Sequence, residues 1–248
     1  MKHKDHYNDG YIQELSQKLY YTIPDFDQTA FSQELIGRLE DKELFARFDC
    51  IVDAMKRNMD SNYSKNIQAL FGILGPELEQ AEGMFNFGWW LWPISRYVER
   101  YGNENWQLSL LFLKELTKRF TGEYAIRPLL KEHPTEIMDE LINWTKDNNV
   151  HVRRLASEGV RIRLPWSQKL LVALDDFDRY STLLTNLKDD TEKFVQKSVG
   201  NNLNDLYKEA PQKAEFLVAQ WKDTGQSKAQ EWIIKHGMRT KNKKQMLG

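Results

Sequence analysis

Apolar residues recur along this chain at i, i+3, i+4 and i+7, and no Asn-Gly or Asp-Gly dipeptide joins two alternating β-branched runs. That period gathers side chains on one face of a helix and scatters them across both faces of a strand. The fold class is therefore all-α. Helices are predicted over 9–20, 27–35, 42–59, 63–75, 88–101 and 106–120. Pro76, Pro128, Pro134, Pro165 and Pro211 fall between periodic segments, where a helix start tolerates a missing N–H.

With 248 residues, 41% hydrophobic and 12% aromatic, the chain can bury a sizeable core. Its lone cysteine, Cys50, rules out an internal disulfide framework and reads as a buried structural thiol of a cytoplasmic protein. No apolar run approaches the roughly 20 residues that span a bilayer, so no membrane partner is expected. Thirty-five basic and 36 acidic side chains leave a net charge of −1, which argues against a uniformly basic nucleic-acid binder but not against a local basic face. Basic residues do cluster, at Arg153, Arg154, Arg161 and Arg163 and again from Lys235 through Arg239 to Lys244.

The first cluster lies in the run 150–166. At helical spacing Val152, Leu155, Ala156 and Gly159 make a packed face, and Arg154, Ser157 and Arg161 share another. That second face is expected to point outward as an anion site. A weak repeat extends the pattern: Val152 aligns with Val195, 43 residues on, and Val195 with Ile233, 38 residues further. Periods of about 40–47 residues belong to two-helix HEAT-type repeats, and chance likeness between amphipathic helices is the alternative. The residues after each alignment point include Arg153 and Arg154, Lys197, and Lys235. Stacked, they would line up positive charge suited to a phosphate backbone, where contacts give affinity and register.

Four segments together carry a family resemblance: Gly88-Trp-Trp-Leu-Trp-Pro93, Arg119-Phe-Thr-Gly-Glu-Tyr-Ala-Ile-Arg-Pro128, the run from Arg153 to Trp166, and Lys197-Ser-Val-Gly-Asn-Asn-Leu-Asn-Asp205. From about residue 10 onward the chain resembles the AlkC family of bacterial alkylpurine DNA glycosylases, HEAT-like relatives of the AlkD enzymes. The resemblance implies a curved α-solenoid with a concave DNA-binding face. It also implies a monomer that grips double-stranded DNA containing alkylated bases without enclosing the base in a pocket. One domain over 1–248 is expected, with 1–10 disordered, N-terminal helices over 10–105, HEAT-like repeats over 106–248 and no C-terminal immunoglobulin-like domain of the kind some members carry. Val160 and Ile162 stand where the family pattern has Thr and Pro.

The chemistry implied is hydrolysis of the N-glycosidic bond to a cationic base such as 3-methyladenine or 3-methylcytosine. A cationic base leaves without being protonated, so the protein's task is to stabilise an oxocarbenium-like sugar and deliver water. A carboxylate can do both, and aromatic faces hold cations by roughly 0.5–2 kcal/mol each. By resemblance Glu123 is the principal carboxylate, Asp205 a second one, and Trp166, after Pro165, the aromatic contact to the lesion. Arg127, Arg153, Arg154, Arg161, Arg163, Lys197, Asn201 and Arg239 are candidates for DNA contact, guanidinium matching phosphate in a bidentate geometry. Some arginines can instead bridge to Glu158 or Asp147 within the fold. Most of the aromatic cluster 85–92 is assigned to packing between the N-terminal helices and the first repeat.

No metal or nucleotide motif occurs, and no cofactor is expected. Two other classes fit the same helices: a non-catalytic HEAT-like protein binding damaged or branched DNA, and a HEAT-type scaffold for a protein partner. The first would keep the arginines without the acid pair, and the second would show an apolar or acidic groove.

Overall fold

The computed structural model describes residues 3–81, 83–225 and 227–247, with side chains through 243. Its α-helices are α1 (Asp9–Thr22), α2 (Gln28–Leu35), α3 (Leu44–Asn58), α4 (Tyr63–Leu70), α5 (Met84–Phe87), α6 (Trp92–Tyr101), α7 (Trp106–Thr117), α8 (Ile126–Glu132), α9 (Pro134–Trp144), α10 (Val150–Gly159), α11 (Val172–Asp175), α12 (Phe177–Asn186), α13 (Lys193–Glu209), α14 (Pro211–Asp223), α15 (Lys228–Gly237) and α16 (Arg239–Leu247). No strand occurs among the described residues. The chain is all-α. It divides into two compact units, one of 1–79 with 83–128 and one of 80–82 with 129–248.

In the first unit α1 packs on α2, α2 on α3, α3 on α6, and α4 on α7. Phe48, Ile51, Val52 and Met55 form the buried stripe of α3 at the predicted spacing. The side chains of Asn8, Asp27, Asn62 and Asn105 cap α1, α2, α4 and α7 by accepting an orphan N–H of the first turn. Residues 3–10, expected to be disordered, are ordered: His3–His6 form a 3-10 turn and α1 begins at Asp9. The reason is tertiary. Tyr7 is buried and its hydroxyl donates to the Trp89 carbonyl at 2.7 Å, while the Arg47 guanidinium donates to the carbonyls of Lys4 and Tyr7 at 3.0 and 2.9 Å.

The second unit is a stack of helix pairs in two layers. α10, α13 and α15 lie side by side, and α9 packs on α12 behind them. α14 joins that second layer, where the Trp221 indole donates to Thr185 Oγ1 of α12 at 2.8 Å. Val152, Val195 and Ile233 are fully buried in the three neighbouring helices, the first two as the third residue of their helix and Ile233 as the sixth. Gly237 permits a close approach, since a Cβ there would lie 2.6 Å from the Cβ of Leu203. Pro134 and Pro211 sit in the first turns of α9 and α14. Pro128 lies inside the first turn of α8, not between helices, where its missing N–H is one that no helical carbonyl would accept.

Candidate active site

Glu123 occupies the loop between α7 and α8 in the first unit. It is buried, and its Oε2 accepts from Thr121 Oγ1 at 2.8 Å, while its own backbone N–H donates back to that hydroxyl at 3.3 Å. The Thr-x-Glu spacing thus clips the carboxylate to its own loop. Three contacts fix the loop in turn. The Thr121 carbonyl accepts from Ser95 Oγ of α6 at 3.3 Å, and Phe120 packs its ring 5.5 Å from that of Trp92. The Arg119 carbonyl lies so near Gly88 that a Cβ there would come within 1.9 Å of its oxygen. Trp92 also stacks on Tyr124, its centroid 6.0 Å away at 21°. The cluster 85–92 therefore packs between the N-terminal helices and residues 119–124. Trp89 and Trp90 are tied to α1 and the segment before it through their carbonyls, and Phe87 remains 71% exposed.

In the second unit α10 faces α13 through polar groups. Arg154, Ser157 and Arg161, expected to point outward, are buried. Their anion is internal. Ser157 Oγ donates to Ser198 Oγ at 2.7 Å, Ser198 Oγ donates to Glu158 Oε2 at 2.6 Å, and Arg161 donates to Glu158 Oε1 at 2.8 Å and to Asp205 Oδ2 at 3.1 Å. Arg154 stands 3.6 Å from Glu158, and Asn202 closes the interface by donating to the carbonyls of Ser157 and Ser198. Burial works to raise the Glu158 carboxyl, but Arg154, Arg161 and the Ser198 hydroxyl outweigh it and hold the group below the ordinary carboxylate range.

Asp205 is 2% exposed, and Val195, Val199, Leu203 and Leu206 form the apolar side of the same helix, as the sequence pattern required. Both donors to its carboxylate, Arg161 Nε and the Arg163 backbone N–H at 3.3 Å, go to Oδ2. Oδ1 takes no hydrogen bond from the described residues. Burial pushes this carboxyl above its usual range in spite of Arg161, Arg163 and Lys208. An acceptor oxygen held in place by cations on its other side can receive a water or a sugar hydroxyl.

Trp166 does not begin a new element. Ser167 N–H donates to the Leu164 carbonyl at 3.2 Å, and the turn between them carries Pro165 at its second position and Trp166, with φ 61°, at its third. A positive φ at that third position is the type II arrangement, which favours glycine. Here a tryptophan takes it, held 68% exposed at a strain of roughly 1–2 kcal/mol.

Residues 120–240 match the family model described as DNA alkylation repair enzyme. Over 244 residues, 97% of its length, the chain is 33% identical to the uncharacterized protein YhaZ of Bacillus subtilis (strain 168). It is 27% identical to Pseudomonas fluorescens alkylpurine DNA glycosylase AlkC bound to DNA containing an abasic site analog, with a TM-score of 0.81 over 96% of this chain. The chain belongs to the AlkC family. It spans 65% and 64% of the lengths of these two relatives.

Within this AlkC-family chain the basic candidates separate by partner. Arg153 is committed to Asp190 through Nε at 2.7 Å and Nη2 at 3.3 Å, and to the carbonyls of Asp147 and Asn148. Arg127 is buried in α8. Arg163 is exposed and pairs with Glu209. Lys197 is exposed on α13, and Arg239 donates to Asn201 Oδ1 at 2.9 Å. The internal-bridge alternative thus holds for Arg153, Arg154 and Arg161. Sequence reasoning did not reach Thr121, Ser198 or Asn202. The Thr-x-Glu spacing was a signal for the first, whereas the others declare themselves only through contacts 40 or more residues away.

Proposed function

We propose that the protein is a DNA glycosylase that excises cationic alkylated bases, 3-methyladenine first among them and 3-methylcytosine as a second substrate. What carries the reading is the buried, Thr121-clipped carboxylate of Glu123, in a chain of the AlkC family. Water attacks C1′ of the sugar while the C1′–N bond breaks, and the bonding electrons leave with the base, which departs neutral. The water proton passes to the Glu123 carboxylate and then to solvent, and an abasic site remains. Glu123 also stabilises the positive charge that develops on the sugar. In the second unit Asp205 offers the DNA an acceptor through Oδ1. Trp166 offers its face to the cationic base.

Incubation of the purified protein with methylated duplex DNA, followed by chromatography of the released bases, tests this. Release of 3-methyladenine is expected, and Glu123→Gln should lower its rate by roughly 100-fold or more while DNA affinity is kept. Wild-type protein that binds the DNA and releases no base would make the non-catalytic reading correct.

A further inference from the structure

Several cations of the second unit meet a carboxylate: Arg163 and Lys169 meet Glu209, Arg179 meets Asp139 and Asp176, and Lys241 meets Glu215. Four exposed cations where α13 meets α15 and α16 do not. Lys193, Lys197, Lys235 and Arg239 have no ion pair among the described residues. Lys193 rests its ammonium 3.8 Å over the Trp232 ring and reaches only the neutral Gln196. His236 is set into the middle of this patch. Its ring stacks on Trp232 at 4.9 Å and 9°, and it lies flush on α13 where only a glycine leaves room, since a Cβ on Gly200 would be 2.7 Å from His236 Cδ2.

His236 Nε2–H donates to Asn201 Oδ1 at 3.1 Å, and Arg239 donates to the same oxygen at 2.9 Å. Two donors on Oδ1 turn the Asn201 amide so that its NH₂ has no acceptor among the described residues. The group is thus an array of donors and positive charge, and the carboxylate that acts on Arg239, Asp205, is itself bound to Arg161.

We propose that Lys193, Lys197, Arg239 and the Asn201 amide form a seat for one DNA phosphodiester, and that His236 takes up a proton when the phosphate docks. The proposal rests on the protein being a DNA binder, as the glycosylase reading requires. The charged groups that act on His236 are Arg239 from α16, Lys197 and Lys193 from α13, and Arg161 from the turn after α10, the last paired with Asp205. Burial first, and then these cations, hold the free imidazole below its ordinary value. A phosphate brought among them removes most of that penalty and raises it. Between the two values the complex holds a proton that the free protein lacks, so Kd tightens up to about tenfold for each pH unit of acidification. Above the higher value the affinity is flat.

Fluorescence anisotropy with a labelled undamaged duplex, at constant ionic strength over roughly pH 5.5–8.5, reads this directly. Wild type is expected to tighten as pH falls, and His236→Gln, which keeps an amide for Asn201, to lose that slope. Lys197→Gln should keep a pH slope while its salt dependence becomes shallower by about one phosphate contact. Thermal melts show whether each variant is folded. A pH-independent wild type, or a folded His236→Gln with the wild-type slope, overturns the proposal. Base release is measured in parallel: proton-linked binding without release removes the glycosylase reading and leaves the phosphate seat, and release with pH-flat binding does the reverse.

Discussion

Replacing Glu158 with glutamine tests the buried ion network where it is most concentrated. The amide keeps the shape of the side chain and removes its charge, so that Arg154 and Arg161, both buried, share one counter-charge fewer. Its NH₂ also brings a donor to a place already filled by donors from Ser198 and Arg161. Removing one partner of a buried pair costs about 3–5 kcal/mol, mostly as the penalty on the charge left behind. In a chain of this size each kcal/mol moves Tm by about 2–4 °C, so Glu158→Gln should melt on the order of 10 °C below wild type by circular dichroism. The exposed pair of Arg179 with Asp139 is the control, and Asp139→Asn should leave Tm within experimental scatter. The effect has a definite sign with pH. The Glu158 carboxyl is held below its usual range in the fold, so its contribution is complete above the unfolded value near about 4.3 and is lost as pH falls through the folded one. Wild type and variant should therefore converge in acid. Equal melting of Glu158→Gln and wild type at neutral pH, or an equal drop in the control, would refute the assignment.

Gly88→Ala drives a Cβ into the Arg119 carbonyl, which is backbone and cannot rotate away. A loss of roughly 1–3 kcal/mol in urea unfolding is expected, with base release falling further than stability explains because the displaced backbone leads into Thr121 and Glu123. Trp166→Gly relaxes a left-handed residue in the Leu164–Ser167 turn. Stability should stay level or rise by up to about 1 kcal/mol while base release drops, and a variant as active as wild type would show that the ring does not touch the lesion.

Helix positions were legible because burial imposes a period: the stripe of α3 and the apolar side of α13 can be read from spacing alone. The destiny of an arginine was not. Arg153 is consumed by Asp190, 37 residues away, and the same side chain on a bare helix would be a plausible phosphate ligand. Arg161 carried a local hint, the i, i+3 glutamate at 158, but its second partner, Asp205, comes from another helix. Near the N-terminus, polar residues 3–10 lack a period of their own and are ordered by Arg47 and Trp89, which no local reading weighs. At Trp166 the Pro-Trp pair announced a turn, and the backbone sign at the tryptophan contradicts ordinary preference.

α13 gives one of its sides to α10 through Ser198, Asn202 and Asp205, its apolar stripe to the core, and a third to α15 and α16 through Lys197, Gly200 and Asn201. These assignments are locked to one angular register, because each residue added to a helix turns everything beyond it by about 100°. A single-residue insertion near Val199 would carry Asp205 away from Arg161 and Asn201 away from His236 in the same stroke. The helix should thus tolerate many substitutions on its exposed positions and almost no change in length, making it the part of the chain where evolution can repaint but not resize.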